Sequence, residues 1–192
     1  MKTFWLIAIV LIFNGMMISA ISTHIINFGI NIGFAATAAA FLSTILASVS
    51  IGGRFFIGWA SDKIDVRRIL QLGYGMICLA MIWGVLSGTM GRGLVFAMVT
   101  VFALGYGGMS VIRAQLVRSY FGLKAYGKIM GFLQSISTIG VVIGPILGGG
   151  IFDATGSYHL LWLIYAVIAI CPIVIAAVLQ KPEFAEDKIG SK

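Results

Sequence analysis

The sequence predicts an all-α membrane protein of six transmembrane helices, and three observations predict it. Hydrophobic residues make up 60% of the 192-residue chain and charged residues 10%, more apolar surface than a soluble core needs. Six apolar stretches follow one another, at approximately residues 4–26, 34–60, 69–88, 93–117, 129–152 and 159–180. Each is near the roughly 20 residues that a bilayer demands. Basic residues gather in alternate connections, as they do when one face of a bundle meets the cytoplasm. The runs are continuously apolar and do not alternate, which argues against a β-barrel.

Span one follows Met1-Lys2-Thr3 and carries Asn14 near its middle and His24 near its far end. Its first twenty residues have the outline of a signal peptide, closing on Ile18-Ser19-Ala20. The run is longer than a signal core and five further spans follow, so a spanning helix is expected, with His24 at the interface. Span two is Gly-rich, contains Arg54, and ends in Gly58-x-x-x-Asp62-Lys63, with Arg67-Arg68 close behind. Span three holds Cys78. Span four contains Gly105-Tyr106-Gly107-Gly108 and Arg113; a long side chain reaching for the headgroups is the expected role of Arg113. Span five carries Gln134, Ser135, Ser137 and Thr138, then Gly144-Pro145 and Gly149-x-x-x-Asp153. Span six holds Cys171, and Pro182 stops it. The expected division is a bundle over residues 1–180 and a short cytoplasmic tail over 181–192. Both cysteines are expected as buried free thiols, since neither a disulfide framework nor a metal spacing is present.

The net charge of +7 is placed by topology rather than by a nucleic-acid partner. Lys63, Arg67 and Arg68 follow span two; Arg118, Lys124 and Lys128 lie between spans four and five; Lys2, Lys181, Lys188 and Lys192 flank the ends. All fall on one side of a six-span bundle, while the other side has Arg92, His24 and His159. Both termini are therefore expected in the cytoplasm, with some anionic-lipid contact. No nucleophile–base set, metal spacing or phosphate-cradling loop is present, so neither an enzyme nor a cofactor is expected.

The stretch Gly58-x-x-x-Asp62-Lys63 with Arg67-Arg68 resembles the cytoplasmic loop signature of major facilitator superfamily transporters, with departures at Asp65 and Val66. Gly105-Tyr106-Gly107-Gly108, Tyr120-Phe121-Gly122, Tyr126-Gly127-Lys128-Ile129-Met130-Gly131, Gly144-Pro145 and Asp153-x-x-Gly156-Ser157-Tyr158 resemble, in order, stretches of monocarboxylate-type and oxalate/formate-type carriers. The resemblance is to the C-terminal six-helix half. It implies an inverted repeat of spans one to three and four to six within half of a twelve-helix fold. The shared Gly-x-x-x-Asp endings at Gly58 and Gly149 fit that repeat. It further implies a multi-pass protein of the cell (inner) membrane, a symporter or antiporter working by alternating access. Its partner is the missing N-terminal six-helix half, in the same full-length chain or in a separate subunit. A fragment of a longer chain is the expected reading.

For a small organic anion, a monocarboxylate above all, the resemblance singles out Arg54. Arg54-Phe-Phe-Ile-Gly58 matches the family's Arg-x-x-x-Gly pattern, whose arginine is associated with the substrate carboxylate. A guanidinium suits that task because it stays charged and binds a carboxylate bidentately. Asn14, Tyr106 and Gln134 are further candidates for substrate contact; each is equally suited to an interhelical bond. Arg54 also lies about 12 Å of helix from Asp62, within reach of a gate. Asp62, Lys63, Arg67 and Arg68 are the expected cytoplasmic gate, whose pairs must break and reform. The rival readings are a facilitator of a drug or sugar, and a truncated, non-transporting membrane subunit.

Overall fold

The structure, a computed structural model, describes residues 2–91 and 93–180. The tail expected over 181–192 lies outside the described residues. Seven helices are described: α1 (Lys2–Asn31), α2 (Ala36–Ser61), α3 (Val66–Met90), α4 (Gly93–Gly107), α5 (Met109–Phe121), α6 (Tyr126–Thr155) and α7 (His159–Val178). Six spans are long and apolar enough to cross a bilayer, α4 and α5 together making the fourth, Gly93–Phe121. The expected all-α architecture stands, with one difference. The predicted single helix of span four is broken at Gly108.

The break has a packing cause. A Cβ on Gly107 would stand 2.1 Å from the Ser50 carbonyl oxygen, and one on Gly108 2.2 Å from the Ile57 Cβ. The chain turns from α4 into α5 pressed directly on α2, where only glycine fits. Elsewhere the helix ends follow ordinary rules. Asp65 caps α3 by accepting from the Arg67 backbone N–H. Gly156 closes α6 at φ 67°, a left-handed conformation that glycine adopts without penalty.

Glycines also set the α1–α6 interface. Gly140, Gly144 and Gly148 recur every fourth residue along one face of α6. Cβ atoms there would stand 2.0 Å from the Ile12 carbonyl oxygen, 2.2 Å from that of Met16, and 2.5 Å from the His24 ring. A Cβ on Gly15 of α1 would in turn stand 2.7 Å from the Ser137 carbonyl oxygen. Backbone meets backbone, which is how helices gain packing energy in a solvent as apolar as their own side chains. On the other flank a Cβ on Gly53 of α2 would stand 2.5 Å from the Leu104 carbonyl oxygen of α4. Exchanging spans one to three for spans four to six maps the α1–α6 contact onto the α4–α2 contact, and the α3–α7 contact onto itself. This is the packing of an inverted repeat.

The helices are not equally covered. In α2 and α6 only 28% and 22% of the most apolar stretch is buried, against 56% in α1 and in the α4–α5 span. Phe41, Phe55, Phe56 and Trp59 on α2, and Phe132 and Ile146 on α6, are exposed. The basic connections share one end of the bundle. There Arg67 donates to the Leu179 carbonyl at 3.1 Å, and Tyr120 to that of Gln180 at 2.8 Å, tying the ends of α3, α5 and α7 together.

Candidate substrate site and basic-end cluster

Span interiors hold positive charge without acid. Of the acidic residues described, Asp62, Asp65 and Asp153 all lie at or beyond helix ends. Arg54 and Arg113 lie well within spans. Among the described residues the one ion pair is Arg67–Asp65, at 2.9 Å.

Arg54 stands on the exposed side of α2, one turn before Gly58, with no hydrogen bond or ion pair among the described residues. Its neighbours Phe55 and Phe56 are exposed too. Asn14 is 4% exposed and approaches the Tyr74 hydroxyl of α3, which donates to the Val10 carbonyl at 2.8 Å. It therefore takes part in the α1–α3 packing. Tyr106 is half-buried and stacks on Phe102, with ring centroids 6.0 Å apart. Gln134 is exposed on α6 and accepts a hydrogen bond from Arg113 Nη1.

Arg113 thus departs from its expected role. It turns toward α6 rather than to the headgroups, is only partly exposed, and leaves its buried Nε without a partner. Tyr74 and Tyr106 are the titratable side chains that bear on it. The structure gathers Asn14, Tyr74, Tyr106, Arg113 and Gln134 into one region where α1, α3, α4, α5 and α6 converge. Sequence reasoning set Arg113 aside, although it lies as far from the end of α5 at Phe121 as Arg54 lies from Asp62, about 12 Å of helix. That equality was the available signal.

The expected gate residues share the basic end but not one network. Asp62 ends α2 and is exposed, and its carboxylate has no partner among the described residues. Lys63 lies over the Trp59 ring, 4.2 Å from its centroid, in a cation–π contact. Arg68 is exposed. Arg67 takes Asp65, one of the two departures from the loop signature, as its partner. Its hydrogen bond holds the Asp65 carboxyl below the ordinary value. A cavity of about 540 Å³ opens here, lined by Ser61, Asp62, Gln115, Arg118 and Tyr126 among others. Gln115 crosses it to donate to the Ser61 carbonyl at 3.0 Å.

At the opposite end a second cavity, of about 460 Å³, is lined by His24, Asn27, Asn31, Asp153 and Tyr158. His24 is buried within the protein, at 8% exposed. Its Nε2 lies 3.0 Å from the Pro145 carbonyl and its Nδ1 3.3 Å from the Tyr158 hydroxyl. A carbonyl only accepts, so Nε2 carries the proton. Burial pushes the Tyr158 phenol above its ordinary value.

A bundle of six spans with the packing of an inverted repeat, positive charge within the spans and a basic loop end defines a multi-pass membrane-protein fold. The sequence pattern of the Major Facilitator Superfamily matches residues 4–191, and the chain belongs to that family. It is 26% identical over 164 residues to the uncharacterized MFS-type transporter YfiU of Bacillus subtilis (strain 168), covering 85% of this chain and 30% of that protein. It is 25% identical over 188 residues to the cis,cis-muconate transport protein of Acinetobacter baylyi, covering 92% and 42%. With monocarboxylate transporter 4 of Rattus norvegicus it shares 24% over 144 residues, covering 73% and 30%. The chain spans less than half the length of these relatives.

Proposed function

We propose that this chain is the C-terminal six-helix half of a secondary transporter that moves a small organic anion by alternating access. The observation that carries the reading is the uncompensated positive charge within the spans. A charge in a membrane helix is costly and is retained where it lines a pathway or meets a partner. Arg54 has no such partner among the described residues, and it stands on the exposed face of α2, where a second half can enclose a cavity. Arg54 takes a carboxylate in its guanidinium fork, and a monocarboxylate is the smallest cargo that this contact defines. Relatives named for muconate and for monocarboxylates support the same class. Asn14, Tyr106 and Gln134 are the further polar groups proposed for the cavity. Asp62, Lys63, Arg67 and Arg68 form the cytoplasmic gate, and both termini lie in the cytoplasm of a cell-membrane protein.

Uptake of labelled lactate and pyruvate by the complete transporter tests this. Removing the partner of a desolvated charge costs about 3–5 kcal/mol. Arg54→Gln is expected to abolish uptake, and Arg54→Lys to restore it in part because the fork is lost. Asp62→Asn is expected to slow turnover with KM within a few-fold. Near-normal anion uptake by an inserted, folded Arg54→Gln protein would sink the anion reading.

A further inference from the structure

We propose that Arg113 and Gln134 form a second anion subsite, and that the cargo is accordingly a dicarboxylate. The inference rests on the reading of Arg54 as the first carboxylate partner. It starts from a charge that the structure leaves unsatisfied. Arg113 offers five N–H donors. Gln134 occupies one nitrogen with a neutral amide oxygen, and the buried Nε has no acceptor. No carboxylate lies within ion-pair distance of it among the described residues. A guanidinium that is partly withdrawn from water and meets only an amide retains both its charge and free donors on one planar edge. That edge suits an incoming carboxylate.

The placement suits two ends of one molecule. α5 lies between α2 and α6, bonded to the first through Gln115 and Ser61 and to the second through Arg113 and Gln134. α2 and α5 both run toward the basic end, and the Gln115–Ser61 bond joins them there. Counted from that bond, Arg113 lies nearer the basic end than Arg54. Two cations set at different depths along the bundle suit a cargo that carries two carboxylates. Gln134 is exposed beside Arg113, so the subsite opens on the face of the bundle that α6 leaves uncovered. Tyr74 and Tyr106 are the titratable side chains near the guanidinium, and neither is a carboxylate that could replace the ligand.

The test places a carboxylate of the protein's own beside Arg113. In proteoliposomes carrying the complete transporter, uptake of labelled succinate and adipate is compared with that of lactate for the wild type, Gln134→Glu, Arg113→Gln and Arg113→Lys. Gln134→Glu keeps the α5–α6 contact and occupies Arg113 internally. It is expected to cut dicarboxylate uptake at least tenfold more than it cuts lactate uptake, at unchanged protein level. Arg113→Gln is expected to raise the dicarboxylate KM at least tenfold, and Arg113→Lys to recover part of that loss. If Arg113 only holds helices together, Gln134→Glu leaves dicarboxylate uptake unchanged, and that result overturns the proposal. A wild type that moves lactate but neither dicarboxylate also overturns it and leaves the reading of Arg54 standing. Uptake of neither class, or full uptake by Arg54→Gln, overturns both.

Discussion

Asp65 closes the connection between α2 and α3 with a single carboxylate. It accepts from the Arg67 backbone N–H at 2.9 Å and from the guanidinium at 2.9 Å, while the same guanidinium reaches the Leu179 carbonyl. Loss of a helix cap costs about 1 kcal/mol, and Asp65→Asn, which keeps a capping oxygen but not the charge, is expected to cost somewhat less near neutral pH. Because the folded carboxyl titrates below its ordinary value, this stability is present above the unfolded pKa, near 3.9. It is lost as pH falls through the folded value. Thermal melts of detergent-solubilised wild type and Asp65→Asn are therefore expected to differ at pH 7 and to converge once the pH falls below the folded carboxyl's own value. A difference that persists there would assign the effect to something other than charge. At this scale the sequence told charge from apolar surroundings but not partner from partner. Arg113 and Gln134 are 21 residues apart, and His24 finds the Pro145 carbonyl across 121. Such partners are set by helix packing, and a backbone acceptor leaves no mark in residue type.

Along α6, glycine has two different jobs. Gly144 admits the Met16 carbonyl, and a methyl group would stand 2.2 Å from it. Gly150 is exposed, with nothing within 4 Å of a Cβ. Overpacking costs about 1–3 kcal/mol, so Gly144→Ala is expected to lower the melting temperature and loosen α1 from α6. Gly150→Ala removes only backbone freedom and is expected to be neutral, or stabilising by about 0.5–1 kcal/mol. Equal melting temperatures for the two variants would contradict the backbone-to-backbone interface. The spans themselves were legible, because length and apolarity determine them: 34–60 became Ala36–Ser61 and 129–152 became Tyr126–Thr155. The break at Gly108 was not. Gly107-Gly108 reads as an ordinary part of an apolar run until Ser50 and Ile57 are seen pressing on it.

For the whole molecule, the loop charges predict an orientation that can be read directly. With both termini in the cytoplasm, an impermeant thiol reagent applied outside is expected to label a cysteine placed at Ser157 and to miss one at Ile64. The reverse pattern would invert the molecule. The paired contacts of α1 with α6 and of α4 with α2 show that the inverted repeat was visible in sequence only through its Gly-x-x-x-Asp endings. The rest of the symmetry lies in which helices touch.

On the reading proposed above, the two guanidinium groups, unpaired by any carboxylate among the described residues, also make the complete transporter an electrical device. An empty site holding Arg54 and Arg113 is cationic, and a site filled by two carboxylates is close to neutral. A membrane potential acts on each elementary charge with about 2.3 kcal/mol per 100 mV across the full field. Voltage therefore acts on the return of the empty carrier and has little hold on the loaded one. In proteoliposomes clamped with potassium and valinomycin, exchange of internal for external substrate is expected to be insensitive to potential, while net uptake, which requires the empty return, changes with it. Equal sensitivity of the two would mean that acidic groups elsewhere in the complete transporter neutralise the arginines before the cargo arrives.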